Sequence, residues 1–169
     1  MLVPGKPFPD VSFDLVGGGR WSRDPDATMT VIDLYRGLHC PRCRAHLEEM
    51  ALQLDGFTAV GAEVVAVSMD PPERAEEARA EWRLGTMAIG YGLTRKDAGR
   101  LGGYLSTAVR EGETDVFAEP AILYVQPDGT LYGAVYGSFP FARPKARDVL
   151  EVCEIVTSRG YPARGTLTD

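Results

Sequence analysis

Residues 37–43 read GLHCPRC, and two cysteines spaced by two residues can do one of three things. They can cycle between dithiol and disulfide, they can ligate a metal, or they can be small apolar core residues with no chemistry. The stretch HCPRCRAH offers four zinc-ligand side chains: His39, Cys40, Cys43 and His46. Structural zinc sites, however, usually draw on two separated ligand pairs so that the metal staples a loop. No second pair follows here; a tetrahedral zinc on these four side chains and a cluster bridging two chains are the metal readings. The expectation is no metal and no cofactor, the sulfur pair itself being the redox group.

The elements around the pair sharpen that reading. TMTVIDLYRG (28–37) has the apolar density of a strand, interrupted by one acid, Asp33. Pro41 suits the first helical position, which makes Cys40 the N-cap of the helix that follows. Leu47, Met50, Ala51 and Leu54 then recur at helical spacing, and Cys43 extends their stripe toward the start. Cys40 is thus expected at the open end and accessible, Cys43 sheltered, and His46 on the outer, solvated side with Arg42 and Glu49.

A thiol at ordinary acidity, near ~8.5, is only a few per cent ionised at neutral pH, and the thiolate is the nucleophile. At a helix N-terminus the partial positive charge and unpaired N–H groups stabilise that anion. Arg36, Arg42 and Arg44 are close enough in sequence to add to it. The roles that follow are Cys40 as nucleophile and Cys43 as resolving thiol.

Further along, AEVVAVSMD (62–70) reads as a strand covered on both faces. DPPERAEEARAEWRLG (70–85) reads as a helix capped by Asp70, with Ala75, Ala78 and Trp82 inward and Gly85 past its end. AILYVQPDGTLYGAVYG (121–137) is two strands about Pro127-Asp128-Gly129, and RPKARDVLEVCEIVTSRG (143–160) is an amphipathic helix with Cys153 on its apolar face. The expected class is α/β, a three-layer fold with a central mixed sheet flanked by helices. One domain spans 1–169, with 1–27 as an N-terminal β extension containing a short hairpin. Residues 86–118 are expected as an insertion, TRKDAGRLGG in it a short helix and REGETDVFAEP a loop.

Composition narrows the function classes. Of 169 residues 44% are hydrophobic and 25% charged, with a net charge of −6, and no basic stripe with interleaved aromatics invites nucleic acid. No apolar run approaches the ~20 residues of a membrane span. MLVPGKPFPD lacks the basic and apolar regions of a secretory leader, so the chain as it stands reads as cytoplasmic. In a reducing compartment a close cysteine pair is redox-active or metal-binding rather than a structural disulfide.

The order strand, CPRC, helix, then Pro120, strand, hairpin and helix resembles the thioredoxin fold. With GKPFPDVSF, VIDLYRGLHCPRC, VVAVSMD and PDGTLYGAVYGSFPFARP, the chain is similar to the peroxiredoxin-like branch, the alkyl hydroperoxide reductase/thiol-specific antioxidant group. That resemblance implies a cis Glu119–Pro120 bond, with Pro120 beside the cysteines and presenting backbone groups to an extended substrate. It also implies an antioxidant, hydroperoxide-reducing activity. The chain departs from the group's Pro-x-x-x-Thr-x-x-Cys motif: Asp33 and Gly37 stand at the proline and threonine positions before Cys40. Glu119 rather than an arginine precedes Pro120, and sequence does not place Arg36, Arg110 or Arg143 relative to the site.

Three functions are therefore carried forward. The first is a thiol–disulfide oxidoreductase, with protein or small-molecule thiols and disulfides as partners. The second is a thiol peroxidase forming a Cys40 sulfenic acid. The third is a metal-binding or non-catalytic protein of the same fold. His39 is a proton carrier for the pair or a partly exposed loop residue; Asp33 takes a proton during exchange, or is paired with an arginine or placed at an edge. Cys153 is core. Trp82 and the aromatics of YGSFPFARP pack inside or, if exposed, serve a substrate surface or a homodimer. GGG at 17–19 is a turn without the strand–helix context of a phosphate loop.

Overall fold

The computed structural model describes residues 2–168. The chain begins with β1 (Phe13–Leu15), β2 (Arg20–Trp21) and β3 (Met29–Leu34), then α1 (Pro41–Ala51), α2 (Leu54–Ala59) and β4 (Ala62–Val67). It continues with α3 (Pro72–Glu81), β5 (Ala88–Tyr91), α4 (Arg95–Arg100), β6 (Leu105–Thr107) and β7 (Val116–Ala118). It ends with β8 (Ala121–Val125), β9 (Leu131–Tyr136) and α5 (Ala146–Arg159).

Seven strands form one mixed sheet in the order β2-β1-β5-β4-β3-β8-β9, and β6 and β7 form a separate pair. β3, β4 and β5 are parallel, joined by helical crossovers, while β8 and β9 close the sheet as an antiparallel hairpin. β3 is buried at every position, because both its faces are covered. Val31 and Tyr35 join a cluster with Cys43, Leu47 and Met50 of α1, Phe57 of α2, Ala78 of α3, and Val149, Leu150 and Cys153 of α5. Ile32 and Leu34 join the cluster on the opposite face with Val65, Val67, Leu93 and Ala98 of α4. The expected mixed sheet between helical layers is present.

Several boundaries differ from the sequence reading. α1 stops at Ala51, and Leu54 opens a second short helix rather than extending the first. α3 is capped by Pro71 instead of Asp70 and ends at Glu81, where Trp82 turns to extended backbone. The Asp70 side chain bonds residues distant in sequence, so it is not free to cap. Within 86–118, expected as an insertion, β5 lies in the main sheet between β1 and β4. Its four residues, AIGY, are too short to show a period, but Ile89 and Gly90 fill the space between β4 and the N-terminal hairpin. The stretch read as a loop supplies β7. The short N-terminal hairpin and the helix at TRKDAGRLGG are as expected.

Gly90 is where backbone approach is closest. A Cβ there would stand 2.5 Å from Phe13 Cε2 and 3.0 Å from Val67 Cγ2. Phe13 cannot yield easily, because its ring is stacked on Trp21 at 4.7 Å. Gly90→Ala should therefore lose about 1–3 kcal/mol through overpacking. Urea unfolding followed by tryptophan fluorescence would register it as a lower midpoint with an unchanged slope.

Candidate active site

β3 delivers the chain to the site, and the first turn of α1 builds it. Cys40 is the N-cap of α1 with extended backbone, Pro41 follows it at the first helical position, and Cys40 Sγ accepts the Cys43 N–H at 3.2 Å. Sulfur thus does what a serine or aspartate oxygen does at most helix starts. Cys43 lies on the inner stripe with His46, Leu47 and Met50. Its Sγ accepts the Arg36 backbone N–H at 3.4 Å and Arg143 Nη2 at 2.9 Å. Both thiols are free.

The pair shares its acidity unequally. Cys40 is held below the ordinary thiol range, to about 6: the hydrogen bond from the Cys43 thiol contributes most, with the Cys43 N–H and the Arg143 and Arg36 charges adding, against burial. Cys43 is pushed well up, by burial first and by hydrogen-bonding to Cys40 second. Its neighbour's anion disfavours a second one. The first proton to leave the pair is that of Cys40.

Cys40 is not accessible as expected. It is only 1% exposed, yet it forms part of the wall of a cleft of about 380 Å³ with Arg36, His39, Arg42, Arg110 and Phe141. The first-turn Cys43 N–H is taken up by Cys40 Sγ, and Pro140 and Phe141 also line the cleft. Of the three arginines the sequence left unplaced, Arg36 and Arg110 reach the cleft and Arg143 reaches Cys43.

The supporting residues are distributed differently from their sequence neighbourhood. Arg36 pairs with Glu119, Nε to Oε2 at 3.3 Å, and its guanidinium covers the Phe117 ring. Arg42, inside the motif, lies 4.8 Å from the Phe141 ring centre and so pins the loop that carries Arg143. Ala142, next to Arg143, has φ 56, a left-handed conformation rare outside glycine. The His39 ring packs on Phe117 at 4.8 Å, and burial, then the Arg36 charge, push its pKa down, which leaves it neutral at pH 7.

His46 is a correction. It is 6% exposed rather than solvated, and its Nε2 lies 2.7 Å from Asp33 Oδ2. Position 46 follows Cys43 by three residues and so shares its inward face; that spacing was the available signal. The buried carboxylate on β3 thereby gains a partner, as burial requires. With His46 committed to Asp33, the four ligand candidates of HCPRCRAH do not converge, and no group of three or more His, Cys, Asp or Glu suited to a metal occurs among the described residues.

Pro120 is a second correction. All peptide bonds among the described residues are trans, Glu119–Pro120 included. Trans is already the favoured isomer of an X-Pro bond. Here the Glu119 N–H reaches Tyr104 O at 2.8 Å and the Pro120 carbonyl accepts the Gly137 N–H at 2.9 Å, so the run from β7 into β8 is satisfied without isomerisation. Pro120 borders a small cavity with Asp33 and Arg143 and is not on the Cys40 cleft.

Asp70 is the residue sequence reasoning missed. Fully buried, it accepts the Leu38 N–H at 2.7 Å and the Thr114 hydroxyl, and pairs with Arg74 at 3.3 Å. It fixes the loop leading into Cys40. A Cβ at Gly37 would lie 2.6 Å from both Asp70 oxygens, and Gly37 has φ 127.

Residues 4–133 match the model of the AhpC/TSA family. The chain belongs to the AhpC/TSA family. It is accordingly a thiol-based oxidoreductase of the peroxiredoxin-like kind, with the thioredoxin-like fold expected. AhpC of Mycobacterium tuberculosis superposes with a TM-score of 0.76 at 15% identity, over 94% of each chain. AhpC of Enterococcus faecalis gives 0.75 at 17% identity, over 95% of this chain and 98% of that one. Reduced Prx3 of Vibrio vulnificus, solved in complex with H2O2, gives 0.74 at 14% identity, over 91% and 97%. No curated protein sequence matches. Among the described residues of this AhpC/TSA protein no helix is long and apolar enough to cross a membrane.

Two expectations test the site. Alkylation of Cys40 by iodoacetamide should follow an ionisation near pH 6, reactivity falling as acid protonates the thiolate. In Cys43→Ala, which removes the strongest stabilising hydrogen bond, the midpoint should move toward alkaline pH. Restoring the family threonine by Gly37→Thr should destabilise the fold by about 2–4 kcal/mol, from overlap with Asp70 and backbone strain. Thermal unfolding beside a peroxide-consumption assay would check that stability falls while the peroxide rate does not rise.

Proposed function

We propose that this AhpC/TSA protein is a thiol–disulfide oxidoreductase in which Cys40 is the nucleophile and Cys43 the resolving thiol. The observation carrying this is the unequal pair at the start of α1: Cys40 Sγ receives the Cys43 N–H and is held acidic, while Cys43 keeps its proton. At pH 7 a thiol with a midpoint near 6 is mostly thiolate. The Cys40 thiolate attacks one sulfur of a substrate disulfide; the S–S bond breaks and one thiolate leaves, to be protonated by solvent. Cys43 then gives up its proton and attacks Cys40 Sγ, expelling the second substrate thiolate. The protein ends as the disulfide, the substrate as two thiols, and the cycle runs equally in reverse.

Hydroperoxide reduction is the second reading, favoured by the family and by the 1% exposure of Cys40, which suits a small oxidant better than a bulky one. There Cys40 thiolate attacks a peroxide oxygen, the O–O bond breaks, and hydroxide or alkoxide leaves; Cys43 displaces water from the sulfenic acid. Against it, Asp33 and Gly37 stand where the resemblance calls for proline and threonine, and Glu119 where it calls for an arginine before Pro120.

One experiment separates the two: fully reduced protein is mixed in single turnover with a small aromatic disulfide or with hydrogen peroxide, quenched, and weighed intact. Cys40→Ser should be inert to both, and Cys43→Ser should accumulate the mixed disulfide. Peroxide oxidation of the wild type should be no faster than that of an ordinary thiolate of equal acidity. Rapid peroxide oxidation, with a sulfenic acid trapped in Cys43→Ser, would replace exchange by the peroxidase. A fully reactive Cys40→Ser would remove both.

A further inference from the structure

We propose that Arg143 biases the Cys40–Cys43 pair toward its dithiol form, so that the protein acts as a disulfide donor, accepting electrons from substrate thiols. The proposal rests on the dithiol–disulfide cycle above and gives it a direction.

Arg143 arrives from the loop before α5, a hundred residues beyond Cys43 in sequence, and places Nη2 2.9 Å from Cys43 Sγ. Its other donors have no substitute partner: Nε and Nη1 are buried without a hydrogen bond among the described residues. No carboxylate among the described residues lies within ion-pairing distance of it. Asp33 shares a small cavity with Arg143 but has Oδ2 engaged by His46 at 2.7 Å. The guanidinium therefore depends on one sulfur.

That dependence distinguishes the two redox states. In the dithiol Cys40 carries the negative charge and the Cys43 thiol donates to it, so the sulfur that Arg143 touches is polarised by the anion and the guanidinium charge also acts on Cys40. In the disulfide both sulfurs are neutral and weak acceptors. Oxidation thus strips a half-buried cation of its acceptor and does the same to the Arg36 backbone N–H on the same sulfur. Leaving buried donors unmet costs the oxidised form specifically.

The same contact acts on the reaction. When a substrate thiolate attacks Cys40 Sγ of the disulfide, the Cys40–Cys43 bond breaks and its electron pair goes to Cys43 Sγ, where the Arg143 N–H receives it. A stabilised leaving thiolate departs faster. A second substrate thiolate attacks the substrate sulfur of the mixed disulfide, and the substrate disulfide leaves as Cys40 departs as thiolate. One protein disulfide and two thiols become one protein dithiol and one substrate disulfide. A hydroperoxide or a more oxidising disulfide is the class of reactant that must restore the donor. Arg143 is on this account a catalytic residue, touching a reacting atom.

The test equilibrates wild type, Arg143→Met and Arg143→Lys with mixtures of reduced and oxidised glutathione, then acid-quenches and weighs the species. Arg143→Met should shift the equilibrium toward the protein disulfide by tenfold or more, ~30 mV more reducing. Its disulfide should react with glutathione at least tenfold more slowly, and Arg143→Lys should recover part of both effects. Oxidised Arg143→Met should gain thermal stability relative to its reduced form, a readout that a purely structural contact would not move. An equilibrium constant within twofold of wild type, or a shift toward dithiol, would overturn the proposal. If the wild type forms glutathione adducts but no Cys40–Cys43 disulfide at any ratio, the cycle itself fails and the direction with it.

Discussion

A sulfur atom stands where a helix ordinarily takes an oxygen cap. Cys40 Sγ accepts the Cys43 N–H at the start of α1, and Cys43 Sγ in turn is met by the Arg36 N–H and the Arg143 guanidinium. The segment after β3, the first turn of α1 and the distant loop before α5 are thus tied together through two adjacent sulfurs. A hydroxyl cap would do the same structural work in one chemical state. Sulfur would do it in two under the proposed cycle, which would couple the local structure to the redox state.

The site keeps the scaffold of its family while exchanging the chemistry around it. The position that the resemblance assigns to a threonine is Gly37, and the space its side chain would take is filled by the Asp70 carboxylate from the end of β4. Positive charge reaches the sulfurs from Arg143, beyond the hairpin, and less from Arg36, which is shared with Glu119 and Glu113. The fold around them is the one shared with the two AhpC structures, at TM-scores near 0.75 and identities of 15–17%.

Local physics made much of this readable in advance. The apolar run of β3, Pro41 after a cap residue, the Pro-Asp-Gly turn and the face of α5 all signal their structure within one element. What escaped was closure at a distance. Asp70 before two prolines has the form of a helix cap, and only the fold shows its carboxylate reaching residues 38 and 114. Arg143 lies a hundred positions from the sulfur it touches, and no spacing rule reports that. β5 is too brief for a pattern, and its place in the sheet is set by its neighbours. His46 is the one miss that sequence could have prevented, since its offset from Cys43 put it on the inner face.

Cys153 gives the molecule a property that the reactive pair alone does not. Three cysteines allow three pairings, but Cys153 is fully buried on α5 and burial pushes its thiol up to about 12. It offers no thiolate to compete with Cys43 for a bond to Cys40. In the proposed dithiol–disulfide cycle the oxidised chain consequently has a single connectivity and a capacity of two electrons.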